Sequence, residues 1–328
     1  MAGQSIAGLD VGGTKTACVE GSFDGEILQR VEMPTHASVP FVETFPAIAE
    51  ALGGVMERAR AAGREIAAIS VSVGGPLKIG EGILIDPPHL PGWHGVGLKA
   101  ELERRFPALP VYVEHDGNAG ALAEFYFGVG KDWIGNGRMG LKSIAGLEHL
   151  IFLTFGTGIG AGIIVHGRVL RGASDTAGEV GHWRLAEDGP WGFGKRGSWE
   201  SFGSGAGLVE LAAQMYPARW RQATPIRELV GEMLADDAEA LEVARVAGRW
   251  MGRGVALLID AFNPQVIVFG SLGVALGERV LGPAREVIAE EALPQAVAAC
   301  ELVTSRFGAE IGDVASLMAG IVEMEGRR

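Results

Sequence analysis

The strongest constraint on this chain is a device that it uses twice. "LDVGGTKTACVEG" (residues 9–21) and "LTFGTGIGAGIIVHG" (153–167) each run from an apolar strand through a turn of glycine and threonine into a second strand. Recurrence at that scale implies two related α/β domains. The length agrees, because 328 residues exceed one ordinary domain and suit two. A hydrophobic fraction of 48% is enough for a core in each.

The segments between the copies extend this pattern. After the first copy, Asp24-Gly25 signals a hairpin into a third strand, "GEILQRVEMP". "FVETFPAIAEALGGVMERARAAG" has helical spacing, with Gly63 as its stop. "IAAISVSVGG" reads as a buried strand. "LPVYVEHDGNAGALAEFYFG" reads as a strand, a turn at 115–117 and a helix from about Asn118. After the second copy, His166-Gly167 marks the next hairpin. Helices follow near 204–215, 225–234 and 237–262, then a strand "PQVIVFGSLG" and a helix at 276–291. A strand "CELVTSRFG" and a closing helix "GDVASLMAGIVEM" complete the pattern. Residues 130–150 have no clear period and read as a connector or insertion. The predicted domains are 1–117 and 118–310, with the closing helix at about 311–328 packing back on the first. Small ligands of such proteins usually occupy the cleft between domains.

Composition excludes some partners. With 28 Lys+Arg against 40 Asp+Glu the net charge is −12, which disfavours nucleic acid and anionic membrane surfaces. No basic leader with an apolar stretch and no transmembrane-length segment is present, so a soluble, cytoplasmic protein is expected. Cys18 and Cys300 lie far apart in apolar runs and read as two buried free thiols.

Turns of this kind gather backbone N–H groups that suit phosphate oxygens. Gly12, Gly13, Thr14 and Lys15 form one candidate cradle, and Thr157 and Gly158 the other. Either alone reads equally as a plain hairpin turn; two after buried strands, one with a lysine, point to a nucleotide. Neither fits the P-loop or the dinucleotide glycine pattern. Asp10 ends its strand at the first turn, where a carboxylate can hold hydrated Mg²⁺. Asp116 reads either as a residue of a helix N-cap region or, beside phosphate turns, as the base that deprotonates an accepting hydroxyl. Glu179 and His182 stand three apart in "AGEVGHW", and Glu200 closes the aromatic loop "PWGFGKRGSWE". Together they suit a polyhydroxylated sugar; separately they read as a solvated carboxylate and a packed imidazole.

"LDVGGTKT", "VEHDGNAGALAE", "TFGTGIGAGIIVHGRVLRGASDTAGEVGHW" and "RGSWE", in this order, resemble the ROK family of repressors, open reading frames and kinases. The resemblance implies two RNase H-like domains of the actin/Hsp70/hexokinase fold, with ATP in the interdomain cleft. It assigns Asp10 to Lys15 and Thr157-Gly158 to ATP phosphates, and Gly270 and Ser271 to the nucleoside. It makes Asp116 the catalytic base, Glu179, His182 and Glu200 sugar ligands, and Gly75 a neighbour of the sugar.

Three departures stand out. His115 replaces an Asn beside Asp116, and His89 replaces the Asn of an "N-L-P-G-W" loop, so both bear on sugar choice. Trp191, Phe193 and Ser198 occupy the positions of three zinc-binding cysteines. No zinc is therefore expected, and Trp191, Phe193 and Trp199 are expected to pack as a small cluster that presents Glu200.

The expected activity is ATP-dependent phosphorylation of a hexose or hexose derivative at C6, glucose first. N-acetylmannosamine, N-acetylglucosamine, fructose and allose are alternatives. A sugar-binding relative that has lost catalysis is a further one. A repressor is disfavoured because the first phosphate strand begins by Ile6 and leaves no room for a DNA-binding domain. A homodimer is common in the family.

Overall fold

The computed structural model describes residues 3–135, 146–192 and 194–326. Their elements follow in chain order. Strands β1 (Gln4–Val11), β2 (Lys15–Gly21) and β3 (Ile27–Pro34) lead to helix α1 (Phe41–Ala61) and strand β4 (Glu65–Val73). A short hairpin, β5 (Leu77–Lys78) and β6 (Ile83–Leu84), precedes α2 (Leu98–Arg105), β7 (Val111–His115), α3 (Asp116–Tyr126) and α4 (Val129–Gly135). Then come β8 (Leu150–Phe155), β9 (Ile159–Val165), β10 (Arg168–Val169), a small hairpin of β11 (Trp191–Gly192) and β12 (Lys195–Arg196), α5 (Trp199–Gly203) and α6 (Gly205–Met215). The chain continues with α7 (Ile226–Leu234), α8 (Ala238–Phe262), β13 (Val266–Phe269), α9 (Leu272–Leu276), α10 (Glu278–Glu291), α11 (Pro294–Ala299), β14 (Glu301–Thr304) and α12 (Ile311–Glu325).

The duplicated device yields two sheets of one design. The first is ordered β3-β2-β1-β4-β7 and the second β10-β9-β8-β13-β14, so each antiparallel start is extended by parallel strands. In the first sheet β1 and β4 are buried almost throughout, as parallel strands covered on both faces should be. Edge strand β3 instead alternates residue by residue. One face of that sheet is closed by α1, whose Ile48, Leu52 and Val55 join Leu9, Val11, Ile69 and Val71 in the core. The other is closed by α12, which comes close enough for the Gly320 N–H to donate to Ser70 Oγ at 2.9 Å.

Two compact units result: Met1–Gly146 with Gly162–Ala177 and Ala309–Arg328, and Leu147–Ala161 with Gly178–Gly308. The first therefore runs past the sequence-derived boundary at 117. The reason is that α3 packs on α12 rather than starting a new body. The predicted turn at 115–117 is also absent. The helix begins at Asp116, with His115 as its N-cap: the Gly117 N–H donates to His115 Nδ1 at 3.2 Å. The segment 130–150, read as a connector or insertion, includes most of α4, and residues 136–145 lie outside the described ones.

A close backbone approach in the first unit is between β9 and α3. A Cβ on Gly162 would stand 2.0 Å from the Gly117 carbonyl oxygen and 2.6 Å from Ala121 Cβ. No side chain can fit without moving α3, which starts with Asp116. Gly162→Val is expected to cost at least the ~1–3 kcal/mol typical of overpacking, and to lower turnover through Asp116. A chemical-denaturation midpoint equal to wild type would contradict this.

Candidate active site

In the first unit the predicted residues other than His89 lie where the parallel strands end. Asp10 is the penultimate residue of β1 and the turn from Gly12 to Lys15 follows that strand, Gly74 and Gly75 follow β4, and His115 ends β7 with Asp116 directly after it. Ends of parallel strands are the usual ligand positions of α/β sheets. The turn is closed by the Gly12 N–H donating to the Lys15 carbonyl at 3.0 Å, and Thr35 Oγ1 donates to the Gly12 carbonyl at 2.7 Å. Lys15 is mostly exposed and reaches Glu32 at 2.9 Å. His89 is exposed, and its backbone sits against the turn: a Cβ on Gly13 would be 2.7 Å from the His89 carbonyl oxygen.

Asp116 has the exposure of a working base, with 48% of its side chain accessible. Its Oδ1 accepts from the Gly117 N–H at 2.7 Å, and His115 Nδ1 stands 3.3 Å from the same oxygen. Gly74 and Gly75 pack beside this pair. A Cβ on Gly74 would be 3.6 Å from Asp116 Oδ2, and one on Gly75 only 2.7 Å from the His115 ring.

Asp10 lies in a crowd of acids. Burial first, then the charges of Asp116 and Asp313, push its carboxyl up to about 7, against the opposing pull of Ser72 and Arg30. Arg30 Nε donates to both oxygens of Asp313, at 3.0 and 2.8 Å. An acid held this far above its usual range, among other carboxylates, is a site where a divalent cation would be welcome.

The second unit holds the other predicted residues. Glu200 lies in the first turn of α5, and its Oε2 accepts from the Ile159 N–H at 2.8 Å, where β9 starts. The "GEVGH" turn folds onto the same place: a Cβ on Gly181 would be 2.4 Å from the Ile159 carbonyl oxygen and 3.4 Å from Glu200 Oε2. Glu179 is partly buried and His182 exposed. Burial, opposed by the Ile159 N–H and reinforced by the charge of Glu179, pushes Glu200 up to about 7. Thr157 and Gly158 lie in the turn between β8 and β9, and Gly270 and Ser271 follow the neighbouring parallel strand β13. Ser271 holds a left-handed φ of 46°, with its Oγ 3.4 Å from Thr154 Oγ1.

The aromatic loop is held differently from the sequence expectation. Trp191 is 62% exposed and stacks on no aromatic ring among the described residues, while Phe193 lies outside them. Trp199 is fully buried and stacks on Trp183 at 5.9 Å with Phe155 at its edge. Backbone pairing of β11 with β12 shapes the loop, and Ser198 anchors it. The Ser198 hydroxyl donates to the Gly192 carbonyl at 3.2 Å and accepts from the Ser201 N–H at 3.3 Å, capping the helix that carries Glu200. A serine N-cap is what this helix start requires.

Sequence reasoning missed Glu114, Asn118 and Arg171. Glu114 is 1% exposed, and its Oε1 accepts from the His115 N–H at 3.0 Å and from Asn118 Nδ2 at 2.9 Å. Its Oε2 accepts from Arg171 at 2.5 and 3.2 Å. The available signal was a carboxylate inside an otherwise apolar strand, which must have a partner.

The sequence pattern of the ROK family matches residues 6–319. A glucokinase of Streptomyces coelicolor is 33% identical over 294 residues, which are 85% of each chain. The crystal structure of a ROK hexokinase from Thermus thermophilus is 33% identical, with a TM-score of 0.74 over 98% of this chain and 99% of that one. A ROK family glucokinase from Streptomyces griseus, solved in complex with glucose and AMPPNP, is 26% identical, with a TM-score of 0.79 over the same shares. The sheets are those of two RNase H-like domains of the actin/Hsp70/hexokinase fold.

The state of Glu200 has a measurable consequence. Folded, it keeps its proton up to about pH 7, whereas an unfolded glutamate loses it near 4.5. The native state therefore loses stability as pH rises through that window. Glu200→Gln has no charge to bury, so it is expected to be more stable than wild type by about 1–3 kcal/mol at pH 8 and equal to it below pH 4.5. Denaturation curves that coincide at pH 8 would refute the buried carboxylate.

Proposed function

The chain belongs to the ROK family and is an ATP-dependent sugar kinase, and we propose that it phosphorylates a hexose or hexose derivative at the C6 hydroxyl, with glucose the first candidate. The observation that carries this reading is Asp116: a half-exposed carboxylate fixed at the first residue of a helix, directly after a strand and beside two glycines. It suits abstraction of a proton from an alcohol as that oxygen attacks the γ-phosphate. Glu179, His182 and Glu200 would bind sugar hydroxyls, Glu200 with the carboxyl character that its burial supports, and Gly75, His89 and His115 would border the sugar. Gly12, Gly13, Thr14, Lys15, Thr157 and Gly158 would hold phosphates, and Gly270 and Ser271 the nucleoside.

Asp10 fits a hydrated Mg²⁺ by its chemistry, since a cation would relieve the crowding with Asp116 and Asp313; when bound, it neutralises phosphate charge. Zinc has no part in this reading, because Ser198 already serves the helix bearing Glu200. The acidic net charge supports a protein without nucleic-acid partners, and the cytoplasm is the compartment we favour. A homodimer is the assembly we favour. N-acetylmannosamine, N-acetylglucosamine, fructose and allose are the alternative acceptors, separated from glucose by a coupled ADP-release assay across the panel.

Asp116→Asn is expected to reduce kcat by roughly 10²–10⁴-fold, the usual loss for a general base. Sugar affinity measured by calorimetry should be largely kept. Near-normal turnover would remove Asp116 from the mechanism.

A further inference from the structure

One buried carboxylate does more than fill a strand position. Glu114 directly precedes His115 and Asp116, and it spends its two oxygens on different tasks. Oε1 accepts from the His115 N–H and from the Asn118 amide, so it grips the last peptide of β7 and the first turn of α3 on either side of Asp116. Oε2 takes a forked contact from Arg171 Nε and NH2. Arg171 opens the segment 171–177, whose far end makes a second anchor. Asp175, at a left-handed φ of 60°, accepts from the Ile79 N–H at 3.0 Å. Ile79 lies just after β5, in the segment that follows Gly74 and Gly75. The loop thus ties the Asp116 segment to the Gly75 segment through two carboxylates.

We infer that Arg171 and Glu114 are positioning residues for catalysis: the ion pair fixes the peptide that carries Asp116, so that its oxygen is held where the accepting hydroxyl must arrive. This rests on the kinase reading above. Physical chemistry favours a specific role. A buried glutamate without its cation would be strongly disfavoured, yet one serving stability alone could be replaced by apolar packing. Here both oxygens are committed, and two of the four bonds come from groups other than the cation. Displacing the carboxylate would free the His115 N–H and the Asn118 amide at once. A base displaced by even about 1 Å loses much of its effect.

The pair can be reached. Arg171 and Glu114 line a cavity of about 510 Å³ together with Lys99, Tyr112, Asp175 and Glu323. That volume admits a guanidinium ion, which permits a chemical test. Arg171→Ala is expected to lower kcat by roughly 10- to 100-fold, the range for a lost charge-assisted fork, while the KM for ATP and for sugar changes little. Millimolar guanidinium chloride should restore several-fold of the lost kcat, whereas urea, neutral and of similar shape, should not. Glu114→Gln should also lower kcat without changing either KM, and guanidinium should not restore it; this variant carries the test if Arg171→Ala fails to fold. Unchanged kcat in a folded variant would overturn the inference. So would a loss in Arg171→Ala that urea and guanidinium relieve equally, or one expressed as a KM effect. A wild-type protein inactive on every hexose of the panel would instead sink the kinase reading, and the inference with it.

Discussion

The parallel register of β1, β4 and β7 is the constraint on which the first unit's chemistry depends. It aligns Asp10 with Ser72 and Ser72 with Glu114, one row back from the strand ends, and aligns Val11, Val73 and His115 in the next. Side chains in one row share a face of the sheet. Asp10 and Glu114 therefore fall on the same face, the one that α12 covers. Asp10 meets that helix at its start, where Arg30 neutralises Asp313 and a Cβ on Gly312 would be 2.4 Å from Asp10 Oδ2. Glu114 meets Arg171 instead. The two acids thus differ in their surroundings: burial and the charges of Asp116 and Asp313 push Asp10 up to about 7, while Glu114 is paired with Arg171. The second sheet repeats the arrangement, with β8 and β13 paired in parallel up to Leu153 and Phe269, just before the turns at 156–158 and 270–271.

Much of this was legible in the sequence because it is local. Strand, turn and strand occupy consecutive residues, and both copies were visible from glycine, threonine and apolar runs alone. The positions of Gly74, Gly75 and Asp116 follow from the same logic, since a chain that ends a parallel strand must deliver its next residues to that edge of the sheet. The pairing of Glu114 with Arg171 was not legible. The two are joined only by folding, and an arginine after a short strand has no periodicity to mark it. The first unit's extent was hidden for the same reason, because α3 belongs with α12, whose packing on it no local pattern announces.

The loop at 190–200 shows how composition can mislead. Three aromatic residues near one another in sequence suggested a shared cluster, but Trp191 and Trp199 stand on different elements, a two-residue strand and the first turn of a helix. Trp191 is left in solvent, while Trp199, one helix start later, is driven inward onto Trp183 and against α8, where a Cβ on Gly254 would be 2.1 Å from its ring. What orders the loop is polar and small. Ser198 has a donor and an acceptor, and it spends one on the hairpin and the other on the helix, so the two elements cannot shift independently. A buried hydroxyl satisfied in both directions specifies a geometry more narrowly than apolar contact does.

His115 illustrates the same economy in the first unit. An N-cap needs an acceptor for the N–H groups of the first turn, a task for which asparagine is among the best residues. Imidazole supplies that acceptor through Nδ1, so the helix beginning with Asp116 keeps its start although the residue has changed. The cost is bulk. The ring fills space that an amide would leave open, and it does so against Gly75, where even one methyl group would collide at 2.7 Å. Residues 75 and 115 are therefore coupled: with imidazole at 115, glycine is the side chain that fits at 75. The space beside Asp116 in the first unit is therefore set by this pair together rather than by either residue alone.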